Sequence, residues 1–326
     1  MANRLYYSAT GCSNVASISV TDSHSAPTAQ ASIQCETMSG IDVGSAITIY
    51  LGYSDLATQN KVFSGYVKNV VKSQSPTIYE ITCANAMVRA VDYFIASSDP
   101  DSPYSKKNIT AEKVVEELMA MAGLTNYDGH TSYFTFATTA NGIIEVNLVS
   151  SYDYSKFIAD LIAWHVYADI DGQVHFMKRD PFPQVGDVSA LTLDNSNLTD
   201  VSYWRSDRDL RNRVVVYGAA DVYATAQASS PYLPVGFYKS VAVGAPDVID
   251  NQTMAQMSAD YNLIKLNRLT IGGSATIIGD SSLKCRDCVT INKSDIGMTG
   301  LWYVYGLEHS FSKDGFKTSI DVRKEA

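Results

Sequence analysis

Apolar and polar residues alternate over positions 62–71, give way to a polar stretch with Pro76 at 72–77, and alternate again over 78–83. A period of two puts every second side chain on one face, so the pattern predicts two antiparallel strands around a turn, followed by a short helical run to Phe94. The same arrangement recurs near the other end of the chain. Positions 302–311 carry a glycine after an apolar run, Ser312-Lys313-Asp314-Gly315 makes a turn, and 316–322 returns as a strand. Each hairpin follows a β-rich run, 46–49 in the first and 288–291 in the second. A glycine inside a strand marks a bulge or tight bend, as the corner of a small barrel requires. Gly65 and Gly306 are therefore expected at corresponding corners of two superposable barrels.

Further strand-like runs at 5–8, 16–21, 29–36 and 46–53 are separated by Ser, Asp, Gly and Pro, the spacing of a barrel or a sandwich. Residues 96–103, with Pro100 and Pro103 and no apolar anchor, read as a linker. Thr110 is placed to cap a helix that runs to Met121, with Glu112 in its first turn, Gly123 stopping it, and Val114, Val115, Leu118 and Met121 as its stripe. Strands are expected at 133–138 and 142–149. A second helix starting at Ser151 buries Phe157, Ile158, Leu161 and Ile162, and Asp171-Gly172 turns between strand-like flanks. The β pattern returns at 190–193, 201–204 and 213–217, a long loop spans 219–234, and a helix over roughly 252–267 precedes four last strands. The fold class expected is mainly β with an α+β insert: a first β-barrel domain at 1–98, a small α+β middle domain at 104–184 and a second β-barrel domain at 185–326.

At 326 residues the chain is long enough for two or three domains, each with its own core. Only 18% of residues are charged and there are 21 tyrosines, a mixture that favours strands and polar-aromatic contact with other proteins. The net charge of -9 and a pI near 5.0 argue against a protein whose work is to grip nucleic acid, because phosphate binding needs clustered Lys and Arg. An acidic surface suits a passage through which DNA slides, but most acidic proteins are simply soluble ones. No stretch reaches the ~20 apolar residues of a membrane span; the nearest, 157–170, is interrupted by Asp160, His165 and Asp169. The first residues lack a secretory apolar run. The five cysteines, at 12, 35, 83, 285 and 288, are expected as reduced, buried thiols of a chain made and assembled in the cytoplasm.

Chemistry is sparse. Cys285-Arg286-Asp287-Cys288 has the spacing of a zinc knuckle or redox motif, but no second ligand pair exists and the residues open a strand rather than a helix. His24, His130, His165, His175 and His309 accompany no Gly-x-Ser-x-Gly elbow and no papain-like cysteine setting. Asp153, Asp160, Glu116 and Glu117 are candidates for a glycosidase pair, yet they fall on solvated helix faces. Ile271-Gly272-Gly273-Ser274 lacks the Lys-Ser/Thr of a phosphate loop and reads as a bend or bulge. Arg205, Arg208, Arg211 and Arg213 alternate with Asp207 and Asp209, which suggests local ion pairing. No catalytic, cofactor-binding or metal-binding residue is assigned, and no cofactor is expected.

Several segments, in order, resemble the baseplate hub protein of contractile phage tails and tail-derived bacteriocins, the PBSX-type prophage and late-control D group. They are Asp42-Val43-Gly44, Val62-Phe63-Ser64-Gly65-Tyr66-Val67, Ile81-Thr82-Cys83-Ala84, Ile109-Thr110-Ala111-Glu112-Lys113-Val114-Val115, Asp171-Gly172 with Phe176, and Arg211-Asn212-Arg213-Val214-Val215-Val216-Tyr217-Gly218. The resemblance implies a structural protein and not an enzyme: a homotrimer in which each chain gives two tube-like barrels, so that six barrels ring a channel. Such a ring joins a sixfold tail tube to a threefold central spike. The partners implied are the tail tube protein, the central spike protein and other baseplate proteins, in a virion tail baseplate or tail-like particle. The rival reading is a tail-tip cell-wall hydrolase or carbohydrate-binding protein, which requires convergent carboxylates or an exposed aromatic platform.

Overall fold

The computed structural model describes residues 5–53, 60–74, 77–96, 104–132, 134–137, 143–245, 248–268 and 270–325. The first third is all strand: β1 (Leu5–Ala9), β2 (Cys12–Ser23), β3 (Gln30–Met38), β4 (Ala46–Tyr53), β5 (Asn60–Gln74) and β6 (Thr77–Asn85). The expected hairpin is β5 with β6, and the helical run after it is α1 (Val88–Asp92). The linker expected at 96–103 lies outside the described residues apart from Ala96.

Short strands and two helices follow: β7 (Phe94–Ile95), β8 (Tyr104–Lys106), β9 (Ile109–Thr110), α2 (Ala111–Met121), β10 (Tyr127–Gly129), β11 (Thr135–Phe136), β12 (Ile144–Val146), β13 (Val149–Ser150), α3 (Ser151–Leu161), β14 (His165–Ala168) and β15 (Val174–Met177). Ser150 caps α3 by accepting from the Asp153 amide at 3.0 Å. Thr110 precedes α2 but makes no side-chain cap; it pairs with Thr135 across β9 and β11 instead. Then come β16 (Ser189–Leu193), β17 (Leu198–Ser206), β18 (Arg213–Tyr217), β19 (Tyr223–Gln227), β20 (Ser240–Gly244), α4 (Gln252–Leu266), β21 (Thr270–Ile278), β22 (Cys288–Lys293), β23 (Met298–Ser312) and β24 (Gly315–Glu325).

Twelve strands form one sheet built from two sets of six. The first set is ordered β1-β4-β5-β6-β3-β2, and the second β16-β22-β23-β24-β21-β17. Numbered one to six along the chain, both run 1-4-5-6-3-2. The two sets differ at one ladder, since β1 pairs antiparallel with β4 whereas β16 pairs parallel with β22. Each fifth strand is 15 residues long and carries an extra residue against the sixth: Lys68, between the pairs Val67–Cys83 and Asn69–Thr82, and Tyr305, between Val304–Val322 and Gly306–Asp321. The bulges make Val67 and Val304 equivalent. Both are fully buried in their respective cores.

That equivalence corrects one expectation. Gly65 and Gly306 do lie on equivalent strands, but Gly65 stands three residues before its bulge residue and Gly306 one after, so Gly65 matches Trp302 and Gly306 matches Asn69. Their reasons differ too. A Cβ on Gly65 would lie 2.1 Å from the carbonyl oxygen of Ala84, whereas one on Gly306 would meet only the Asp321 carboxylate at 3.2 Å.

Three apolar cores result. Ile18, Ile33, Ile49, Phe63, Val67 and Ile81 fill the first six-stranded unit, and Phe311 and Phe316 reach into it from the last hairpin. Leu193, Val289, Ile291, Trp302, Val304, Ile320 and Val322 fill the second. Residues 213–266, expected inside the second barrel, bury Val214, Val216, Ala224, Ile249 and Ala255 in the third core, together with α2, α3 and β15. Small side chains explain the miss: Tyr223-Ala224-Thr225-Ala226-Gln227 is a strand inside the expected loop, and its buried alanines carry little β signal. The second six-stranded unit is thus interrupted between its second and third strands.

Ile271-Gly272-Gly273-Ser274 is neither bend nor bulge but regular strand within β21. Gly272 seats the indole of Trp204, whose ring atoms come within 2.2 Å of where a Cβ would stand, and a Cβ on Gly273 would stand 2.3 Å from the Ser202 carbonyl oxygen.

Candidate assembly interface

The cysteines and most of the carboxylates singled out for chemistry are neutralised. Cys285 is buried under the carbonyls of Val304 and Tyr305, and Cys288 hydrogen-bonds the Asp187 carboxylate at 3.3 Å. Burial above all pushes both thiols up to about 12, so they stay protonated at neutral pH, unlike a metal ligand or a nucleophile. Glu116 pairs with Lys113 at 2.8 Å, Glu117 with Lys106 at 2.9 Å and Asp160 with Lys156. These three carboxylates are thus each answered by a neighbouring lysine, while Asp153 stands in the first turn of α3. The ion pairs expected within the arginine cluster do not form: Asp207 bonds Lys239 at 3.0 Å, and Arg211 turns to the carbonyls of Arg208 and Leu210, both at 2.8 Å.

Where the three cores meet, five rings stack in sequence. Tyr305 on β23 lies over His24 (centroids 5.3 Å apart), His24 over His165 (3.9 Å), His165 over Tyr167 (5.1 Å) and Tyr167 over His175 (5.0 Å), all within 27° of parallel. The stack runs from the second unit through the end of β2 into β14 and β15. Arg286 lies over the Tyr167 ring at 4.1 Å, pairs with Asp22 at 2.9 Å and donates to the Ser23 carbonyl at 3.2 Å. Burial, followed by Arg286, lowers His24 to about 2; burial, followed by the neighbouring His24, holds His165 well below its ordinary value. His175 is the opposite case: its bonds to Asp169 at 3.1 Å and Asp128 at 3.2 Å raise it. His309 donates Nε2–H to the Leu283 carbonyl and takes the Thr318 hydroxyl at Nδ1, deep in the sheet. Only contact order joins these residues, so no local spacing in the sequence announces the junction.

The two six-stranded units meet at a strand seam. The first half of β23 pairs with β22, but Gly306 to Ser312 turn the same edge to β2, antiparallel, with Val20 opposite His309 and Ile18 opposite Phe311. The seam buries Leu307, His309 and Phe311. The equivalent half of β5, residues 69–74, pairs with β6 alone among the described residues and is exposed except for Val70. β17, the counterpart of β2, likewise pairs only with β21. Among the described residues the chain therefore carries one closed seam and two edges, on β5 and β17, that are the unfilled halves of a second.

No protein-family model matches the chain, and no curated protein matches it. Solved structures do. A 43 kDa tail protein of prophage MuSo2 from Shewanella oneidensis aligns with a TM-score of 0.68 at 14% identity, covering 99% of this chain and 98% of its own. A tail protein from Neisseria meningitidis MC58 aligns at 0.69 and 12% identity, covering 98% and 97%. The E. coli c3393 protein, a component of the type VI secretion system described as structurally similar to T4 tail proteins gp27 and gp5, aligns at 0.60 and 10% identity over 98% of this chain and 77% of its own. What is shared is the fold, over nearly the whole of both chains for the two tail proteins and over 77% of the c3393 protein.

Proposed function

We propose that this chain is a structural phage-tail protein, the baseplate hub of a contractile tail or tail-like particle, acting without catalysis. In this reading it forms a homotrimer that joins a hexameric tail tube to a trimeric central spike and touches other baseplate proteins. One observation carries the proposal: two six-stranded units of one strand order lie side by side in a single chain. Three copies then present six like units to a sixfold partner while keeping threefold symmetry for another. In this reading the domains are 1–98, a middle domain of 104–184 with 213–266, and a second β unit from the remainder. The net charge of -9 suits an inner wall that lets DNA pass unbound. The site of action is the virion tail, with assembly in the host cytoplasm. The test is the copy number of the chain in isolated tails, read by quantitative mass spectrometry against the tube protein. Three copies per tail end support the hub; one or six remove it, and so does release of sugar or peptide from purified peptidoglycan by the purified chain.

A further inference from the structure

The internal duplication supplies a ruler for the unfilled edges. In the first unit the ladders step from Val20 to Ala31, from Ala31 to Cys83 and from Cys83 to Val67. In the second they step from Tyr203 to Gly273, from Gly273 to Val322 and from Val322 to Val304. Since Val67 and Val304 are equivalent, Tyr203 is the counterpart of Val20. Both point to their cores, as do Val201 and Ile18 two residues earlier. Within the chain Val20 pairs with His309, and the same bulge alignment makes Lys72 the counterpart of His309.

We infer that β17 of one copy pairs, antiparallel, with residues 69–74 of β5 in a second copy of this chain, in the register that sets Tyr203 opposite Lys72, Trp204 opposite Val71 and Ser202 opposite Ser73. This deepens the hub reading and rests on it, because it names the edges through which the ring closes. Three features favour a second copy as the occupant. The seam already formed inside the chain shows that this pair of edges is complementary. Its two unfilled halves belong to different six-stranded units and are different surfaces, so the contact is head-to-tail and repeats until a ring closes. The register also sets two exposed apolar side chains directly against each other, Trp204 at 37% exposure and Val71 at 45%, while the partly buried Tyr203 meets Lys72, which is exposed in the single chain.

The test is disulfide trapping with the full-length chain. Ser73→Cys and Ser202→Cys together are expected to give covalent oligomers on oxidation, each single variant none, and the pair Lys72→Cys with Ser202→Cys, one residue out of register, far less. Trapping accumulates even weak encounters, so a purified chain that associates only transiently still reports. A second variant, Val71→Asp, lies on an exposed edge and is expected to keep the melting temperature while weakening association by at least about tenfold, since it sets a charge against the Trp204 ring. Native mass spectrometry of the same samples separates the two readings. Trimers without the in-register cross-link, or with association unchanged by Val71→Asp, overturn the strand pairing and leave the hub standing. Neither oligomer nor cross-link at any concentration overturns both.

Discussion

Arg286 closes an ion pair on Asp22 at 2.9 Å, joining residues 264 positions apart, with the two side chains only 9% and 18% exposed. The guanidinium also covers the Tyr167 ring, so a single side chain touches the first unit and the middle unit from the second. A charge so enclosed is tolerable only while answered. Asp22→Ala is therefore expected to lower stability by about 3–5 kcal/mol in denaturant unfolding. The double variant Asp22→Ala with Arg286→Met, which removes both charges, should recover part of that loss. If the double variant is the sum of the singles, the pair is not coupled and its role at the junction is withdrawn.

Acid should loosen the molecule through its buried histidines. Burial lowers His309 from 6.5 to about 4 and His24 to about 2, and holds His165 low. A base whose folded pKa is depressed binds fewer protons folded than unfolded, so its contribution is complete above 6.5 and is lost as pH falls towards the folded value. For His309 the loss is about 2 kcal/mol at pH 5, from 1.5 units of pH at 1.36 kcal/mol each. His175, raised by Asp169, works the other way: its contribution is full below 6.5 and is lost as pH rises through its folded pKa. Three depressed groups against one raised group predict a net fall in unfolding free energy between pH 7 and 5. His309→Gln should flatten that slope, and equal slopes for it and the parent would refute the assignment.

Much of the sheet is legible in the sequence because its faces are unequal. In β3, β4 and β24 buried and exposed residues alternate, so period two is written in the residue types. The recurring hairpin is legible for the same reason, and α4 is found nearly to the residue. Where both faces are covered or the buried residues are small, the signal fades: Ala224 and Ala226 make a strand look like a loop. The junction and the seam are unreadable in principle from local pattern. His24, His165 and Tyr305 come from three distant segments and meet only after the sheets have formed, and the bulges that fix the register of β5 and β23 leave no residue-type mark at Lys68 or Tyr305.

The thiols give a direct readout of burial. Cys83, Cys285 and Cys288 are all pushed up to about 12, chiefly by burial. In the native protein they should react with a disulfide reagent orders of magnitude more slowly than a free thiol of pKa ~8.5, and in denaturant all five cysteines should titrate rapidly. Cys285→Ser replaces a weakly polar group by a hydroxyl beneath two carbonyls and is expected to cost about 1–3 kcal/mol. Fast modification of Cys285 in the folded chain would contradict its placement.

The unequal roles of Gly65 and Gly306 lead to a test of the bulge alignment on which the duplication rests. At Gly65 an added methyl group would stand 2.1 Å from the Ala84 carbonyl oxygen and 2.8 Å from the Asn85 Cα, both backbone atoms of the paired strand. Neither can turn away, so Gly65→Ala must push β5 off β6 at the ladder that precedes the bulge, and the expected cost is about 3 kcal/mol or more. At Gly306 the nearest atom is an Asp321 carboxylate oxygen at 3.2 Å, the far end of a side chain that can rotate. There Ala also narrows the unfolded chain's freedom, so Gly306→Ala should fall within about 1 kcal/mol of the parent. Chemical denaturation of the two variants side by side decides it. A comparable loss at both sites would mean that the glycines are equivalent after all, which would displace Trp302 as the counterpart of Gly65 and shift the β17 to β5 register with it.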